Sequence, residues 1–337
     1  MKLKYFILFT VLAVAVTGIA GLFGDSLQAD SPALVKVDGS STVFPITEGV
    51  AEEFQAAQRG TVRVTVGISG TGGGFKKFCR AETDVQDASR PILASEMEAC
   101  RKNGVRFYEL PIAFDAITLV VSRQNTWATS VTLDELKKMW EPSAQSKVTK
   151  WNQIRATWPD SPLKLFGAGA DSGTFDYFTE AIVGKPKASR GDYTASEDDN
   201  TLVQGISSDK NAMGYVPLAY FEPNQQRLKA VAVDAGKGPI LPSRQTVENG
   251  TYAPLARPVF IYVNARSAQR PEVKQFVEFY LGNAATLAAQ AKYVPLPVPA
   301  YATALEHFKA GKLGTVFQGS SAIGLKIEDL LQREASL

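Results

Sequence analysis

Histidine and cysteine are almost missing from this chain. Its 337 residues include one histidine, His307, and two cysteines, Cys79 and Cys100. No Cys-x-x-Cys pair, histidine cluster or zinc-like spacing occurs, so neither a metal nor any other cofactor is expected. A serine hydrolase needs a general base beside its nucleophile. The lone histidine stands in L-E-H-F-K, most simply a position on the surface of a helix. Ser69 lies in G-I-S-G-T, near the G-x-S-x-G nucleophile elbow but without its last glycine. Surplus charge is missing too, the formal net charge being +2, with Lys2, Lys4 and Asp25 supplying +1 of it. There is no basic stripe and no nucleic-acid motif, so nucleic acid is not an expected partner. The chain also lacks a P-loop, a dinucleotide fingerprint, internal repeats and low-complexity segments.

What is present begins with Lys2 and Lys4, followed by an apolar run from Tyr5 to about Phe23 and a small, polar stretch ending at Ala29-Asp30. This pattern predicts a secretory signal over 1–29, cleaved after Ala29. The alternative is an uncleaved N-terminal anchor. No cysteine ends the run, which argues against a lipoprotein. Either way the globular part is exported to the periplasm or cell surface. In that setting Cys79 and Cys100 can form a disulfide, the alternative being two buried thiols. The length is enough for two domains, and 45% apolar residues allow large cores.

The most informative stretch is Gly167 to Phe178, G-A-G-A-D-S-G-T-F-D-Y-F. The mostly apolar run Leu163 to Phe166 reads as a buried strand leading in. Phe175, Phe178, Ala181 and Ile182 then fall on one helix face. Asp171, Ser172, Gly173 and Thr174 therefore stand at a helix N-terminus, where unpaired N–H groups and partial positive charge suit an anion. Ordinary capping by Asp or Ser is the competing reading. The device occurs twice more. Leu34 to Val37 leads into D-G-S-S-T-V-F-P, placing Ser40, Ser41 and Thr42 before a helix marked by Ile46, Val50 and Phe54. The alternating strand Thr61 to Ile68 runs into S-G-T-G-G-G, with a helix beginning at Phe75 and Phe78. Glycines at a helix start are unfavourable unless backbone N–H groups must close on something small.

Further along, Phe107–Leu110 and Ala116–Val121 read as separate strands around Pro111. Asp192 to Asn200 reads as a cap and loop before a helix near Leu202. Pro239 to Tyr252 reads as a long polar loop, and Val273–Leu281 and Ala284–Ala291 as two helices.

The segments D-G-S-S-T-V-F-P, S-G-T-G-G-G-F, D-A-S-R-P, L-D-E-L-K-K-M-W, K-W-N-Q-I and D-S-G-T-F-D-Y-F, in that order over most of Val35 to Val263, resemble the periplasmic phosphate-binding proteins of ABC-type phosphate importers. The tail G-T-V-F-Q-G also fits. The resemblance implies a two-lobe α/β fold of the type II periplasmic-binding class, each lobe a mixed sheet flanked by helices, with the ligand cleft between lobes. Lobe I would be 30–112 plus 256–337, and lobe II 113–255. It implies a monomeric binding protein, not an enzyme, that carries inorganic phosphate to membrane permease subunits. Another tetrahedral oxyanion, or phosphoester hydrolysis on the same fold, is the alternative.

Carried over by motif, Ser41, Thr42 and Val43 form the first phosphate loop, with Thr42 acting by side chain and Val43 by backbone N–H. Ser69 or Thr71, with Gly72, matches the second, and Ser172, Gly173 and Thr174, preceded by Asp171, the third. Two departures stand out. Arg90 occupies the place of the family's proton-accepting Asp, and Ala168 lies where an Arg precedes the third loop. The expectation is that Arg90 binds the anion, while Asp171 or another acid among Glu197, Asp198 and Asp199 orients Arg90 or accepts the ligand proton.

Overall fold

The fold is that of a computed structural model, which describes residues 32–336. The expected signal over 1–29 and its cleavage point lie outside the described residues. Among those described, no helix is long and apolar enough to cross a membrane.

The strands are β1 (Ala33–Gly39), β2 (Val62–Ile68), β3 (Val85–Ala88), β4 (Phe107–Ser122), β5 (Ser130–Thr132), β6 (Lys164–Ala168), β7 (Thr194–Ser196), β8 (Ala212–Pro217), β9 (Leu228–Ala230), β10 (Ala232–Asp234), β11 (Pro239–Ile240) and β12 (Ala256–Asn264). The α-helices are α1 (Phe44–Ala57), α2 (Gly70–Phe78), α3 (Ala94–Lys102), α4 (Leu133–Trp140), α5 (Gly173–Val183), α6 (Asp199–Ser208), α7 (Leu218–Phe221), α8 (Arg244–Glu248), α9 (Pro271–Gln290), α10 (Val298–Ala310) and α11 (Ile327–Ala335).

One continuous sheet runs in the order β2-β1-β3-β12-β4-β8-β6-β7, with β9 also on β4, and a small sheet has the order β11-β10-β5. The long strand β4 is buried throughout because helices cover both faces, so it is mostly apolar, with Glu109, Asp115 and Thr118 among its polar exceptions. It pairs with β12 up to Ala116 and with β8 from Ile117 onward. The returning chain meets it there, Ile117 N–H donating to Leu255 O. Thus β4 and the start of β12 join two α/β lobes, the type II arrangement. β1 is parallel to β2 and β3 in one lobe, and β6 to β7 and β8 in the other. Helices α1 and α2 connect β1, β2 and β3. The loops after β1, β2, β3 and β6 therefore emerge at carboxyl ends of parallel strands, where open α/β sheets present their ligand sites.

Several local expectations change. Pro111 does not break β4. The ladder with β12 passes from Pro111–Phe260 to Ala113–Val259, a bulge that skips Ile112, and a residue without an N–H is tolerated at such a point. The segment 273–291 holds one helix, α9, ending at Gln290, not two. A side chain at Gly282 would meet nothing, so that glycine costs only its propensity, about 1 kcal/mol. Burial of Val273, Phe276, Tyr280, Ala284 and Leu287 outweighs it. The helix expected near Leu202 starts at Asp199, capped by Asp198. The polar stretch Pro239 to Tyr252 contains β11 and α8, the latter capped by Ser243. His307 is on a helix but not at the surface: it is 6% exposed, on the face of α10 that also carries Ala300, Ala304 and Phe308. Burial lowers its pKa, with help from Lys312. Cys79, just past α2, and Cys100, in α3, form a disulfide that ties these helices together.

Candidate functional site

The first loop turns at Gly39, whose φ of +141° and approach to Asp87 leave no room for a side chain; a Cβ would lie 2.3 Å from Asp87 O. Ser40, Ser41 and Thr42 follow, all buried. None of them caps α1, whose N-cap is Val43 with no side-chain cap bond. Val43 N–H instead donates to Ser40 O within the turn. The Ser41 and Thr42 hydroxyls point across to the second lobe. Ser41 Oγ donates to Asp199 Oδ2 at 2.8 Å, and Thr42 Oγ1 lies 3.0 Å from Thr174 Oγ1.

The second loop separates its two candidates. Ser69 Oγ donates to Asp38, which also accepts from Lys77 Nζ at 2.6 Å, so Ser69 faces its own lobe. Thr71 is fully buried and faces the other lobe. Its Oγ1 lies 3.2 Å from Ser89 Oγ and accepts from Ser89 N–H. The glycines are explained by close approach to protein. A Cβ at Gly70 would lie 2.5 Å from Asp171 O, and one at Gly74 2.0 Å from Gln86 Oε1. Gly72 N–H is taken by Asp171 O at 2.8 Å, a backbone bond between lobes.

In the third loop capping and site coexist. Ser172 caps α5, accepting from Thr174 N–H at 3.1 Å. Gly173 presses against the first lobe, where a Cβ would lie 2.5 Å from Thr71 Oγ1 and 2.7 Å from Ser89 Oγ. The Asp171 carboxylate stays at the rim, 2.8 Å from Lys76 Nζ, with both side chains well exposed. Glu197 Oε1 accepts from Asp171 N–H. Thus Thr42, Thr71, Ser89, Gly173 and Thr174 come together from both lobes, while Ser69 and the carboxylate of Asp171 do not join them.

Arg90 sits at the lobe boundary with its fork occupied. Nε donates to Asp176 Oδ2 at 2.7 Å, Nη1 to Pro91 O and Glu96 Oε2, and Nη2 to Glu96 Oε1. A second N–H on Nη2 is what remains. Burial works against its charge, but Glu96 and Asp176 outweigh it and raise its pKa. The acids that orient Arg90 are therefore Glu96, on its own lobe, and Asp176, on α5, not Asp171. Asp199 is buried and perturbed as well. Burial pushes it up to about 7 against the Ser41 hydroxyl, and the nearby Asp115 charge adds to the rise.

Sequence reasoning missed Arg257, Asp115, Asp176 and Ser89. Arg257 opens β12 and is fully buried. Its Nη2 donates to Thr174 Oγ1 at 2.7 Å and lies 3.3 Å from Thr42 Oγ1, and both Nε and Nη2 contact Asp115 Oδ2. The available signal was a charged residue entering an otherwise apolar strand, L-A-R-P-V-F-I-Y-V.

The signature of the PBP superfamily domain matches residues 26–284. Protein SphX of Synechocystis sp. is 52% identical over 303 residues, covering 90% of this chain and 90% of that protein. The phosphate-binding protein PstS of Staphylococcus saprophyticus is 34% identical over 307 residues, covering 89% and 92%. Among solved structures, a possible phosphate binding protein from Planctomyces limnophilus superposes with a TM-score of 0.62 at 45% identity, covering 83% of this chain and 99% of that one. The chain belongs to the PBP superfamily, in the family that includes SphX and the phosphate-binding protein PstS.

Proposed function

We propose that this protein binds inorganic phosphate outside the cytoplasmic membrane and delivers it to the permease subunits of an ABC-type phosphate importer. The observation that carries this reading is the 3.0 Å meeting of Thr42 and Thr174 hydroxyls from opposite lobes, beside Thr71, Ser89 and the first turn of α5. An enclosed oxyanion must exchange its whole hydration shell for fixed donors, and unpaired charge in a closed site costs several kcal/mol. Hydroxyls and first-turn N–H groups supply donors without surplus charge. Because the two threonines touch, the anion enters by parting the lobes and is then enclosed. We assign Thr42, Thr71, Ser89, Gly173 and Thr174 to the ligand, and Ser41, Ser69, Ser172 and Asp171 to holding the loops. Arg90 joins the lobes through Asp176.

The same reading makes the protein a carrier and not an enzyme. Among the described residues, no histidine contacts these hydroxyls; Ser41 and Ser69 have carboxylate partners, Asp199 and Asp38. Titration calorimetry of the exported chain against phosphate, sulfate and molybdate tests the function. Saturable binding of phosphate is expected; binding of sulfate or molybdate but not phosphate would overturn it. Turnover of a chromogenic phosphoester, lost in Ser41→Ala, would replace it with hydrolysis.

A further inference from the structure

Asp115 and Arg257 are cross-strand partners on β4 and β12, at the place where the chain passes between lobes. Both side chains are wholly buried. Burying an ion pair gains little stability, since desolvation offsets the attraction unless every remaining polar atom is satisfied. Here they are not satisfied. A pair built for structure would use both carboxylate oxygens against both arms of the fork. Instead Nε and Nη2 share one oxygen, Oδ2, at 3.2 and 3.0 Å. Asp115 Oδ1 and Arg257 Nη1 have no partner among the described residues. The guanidinium is held from one side by the Tyr177 ring, 5.7 Å from its centroid, and touches one threonine from each lobe.

Resting on the phosphate reading above, we infer that Arg257 is the positive charge that receives the anion. Nη1 donates to a ligand oxygen while Nη2 holds Thr174 and Thr42 to the same ligand from either side. Mounted on the hinge strands, it moves fully with neither lobe and meets both threonines only when they are closed. Arg90, with all but one N–H taken by Asp176, Glu96 and Pro91 O, is not needed for that role.

The test is calorimetry with inorganic phosphate on the exported chain and on two variants, Arg257→Lys and the charge-neutral pair Asp115→Asn/Arg257→Gln, which leaves no buried carboxylate stranded. The paired variant is expected to melt cooperatively and to bind phosphate roughly 100-fold more weakly. Arg257→Lys, keeping charge but losing the fork, is expected to fall between it and the parent. A folded paired variant binding within about threefold of the parent would overturn the inference. A readout independent of any substitution is the arginine side-chain spectrum of 15N-labelled parent protein. The Arg257 Nη protons should shift and gain exchange protection on adding phosphate; no change at saturation overturns the inference equally. Absence of phosphate binding by the parent would instead sink the function itself.

Discussion

Asp176→Asn separates a ligand contact from a clasp. Arg90 Nε donates to Asp176 Oδ2 at 2.7 Å, and the two side chains are 5% and 2% exposed. Arg90 belongs to the loop after β3 and Asp176 to α5, so this bond exists only with the lobes together. When they part, Arg90 keeps Glu96 at 2.8 Å, and Asp176 keeps Lys187, 3.9 Å away on its own lobe. Neither charge is stranded in the open form, so the variant acts on the closed form. A hydrogen bond between charged groups contributes about 1.5–3 kcal/mol net. Phosphate affinity should therefore fall roughly 10- to 100-fold. Calorimetry measures that loss, and small-angle scattering with and without phosphate follows closure. Arg90→Gln and the double variant complete a cycle. If Arg90 acts as a clasp, the double variant is little worse than either single one. Additive losses, or an affinity for Asp176→Asn equal to the parent's, would refute the reasoning.

Gly173→Ala places a methyl 2.5 Å from Thr71 Oγ1 and 2.7 Å from Ser89 Oγ, atoms of the opposite lobe. Phosphate binding should weaken at least about tenfold while the melting temperature without ligand barely moves, since the open form has room; calorimetry and a thermal melt read the two. Reducing the Cys79–Cys100 bridge, which closes a loop of sequence separation 21, should lower unfolding stability by about 3 kcal/mol. Urea titration with and without reductant decides, thiol labelling confirming that the bond opened. Glu109 and Glu334 are pushed up by burial to about 7 and about 8. Their folded pKa values lie above the unfolded ones, so their contribution is whole below about pH 4 and is lost as pH rises through 7 and 8. Urea titrations at pH 5 and 9 should show the parent less stable at 9, with a smaller loss in Glu334→Gln; an equal loss removes Glu334 from the account.

The parts of the site readable from sequence were those encoded within a few residues. Strand, hydroxyl turn and apolar helix face follow one another at 34–54, 61–78 and 163–182, so the spacing alone places three helix N-termini at strand ends. Distant pairing was not readable. Nothing near Arg90 shows that Asp176, 86 residues on, and Glu96 will fill its fork. Nothing near Arg257 shows Asp115, 142 residues earlier. The run Gly72 to Gly74 signals close approach, but not that the approaching groups are Asp171 and Gln86 from within the protein. Pro111 and Gly282 mark breaks in local terms, yet tertiary burial carries the strand and the helix through both. His307 reads locally as a surface residue, yet Ala300, Ala304 and Phe308 share its face and it is buried.

The charges around the threonines explain why so polar a place can be buried at all. Each buried cation there already has its anion: Arg90 has Glu96 and Asp176, and Arg257 has Asp115. A bare cation at this depth would draw in chloride or hold the lobes apart by its own hydration. Matched pairs avoid both, and they also mean that net charge cannot be what selects the ligand. Selection then rests on donor geometry, the positions of four hydroxyls, of the N–H groups at the start of α5 and of one unpartnered arm of Arg257. Such donors can be aligned on a single small anion only when both lobes contribute. This ties recognition to closure without requiring a separate switch.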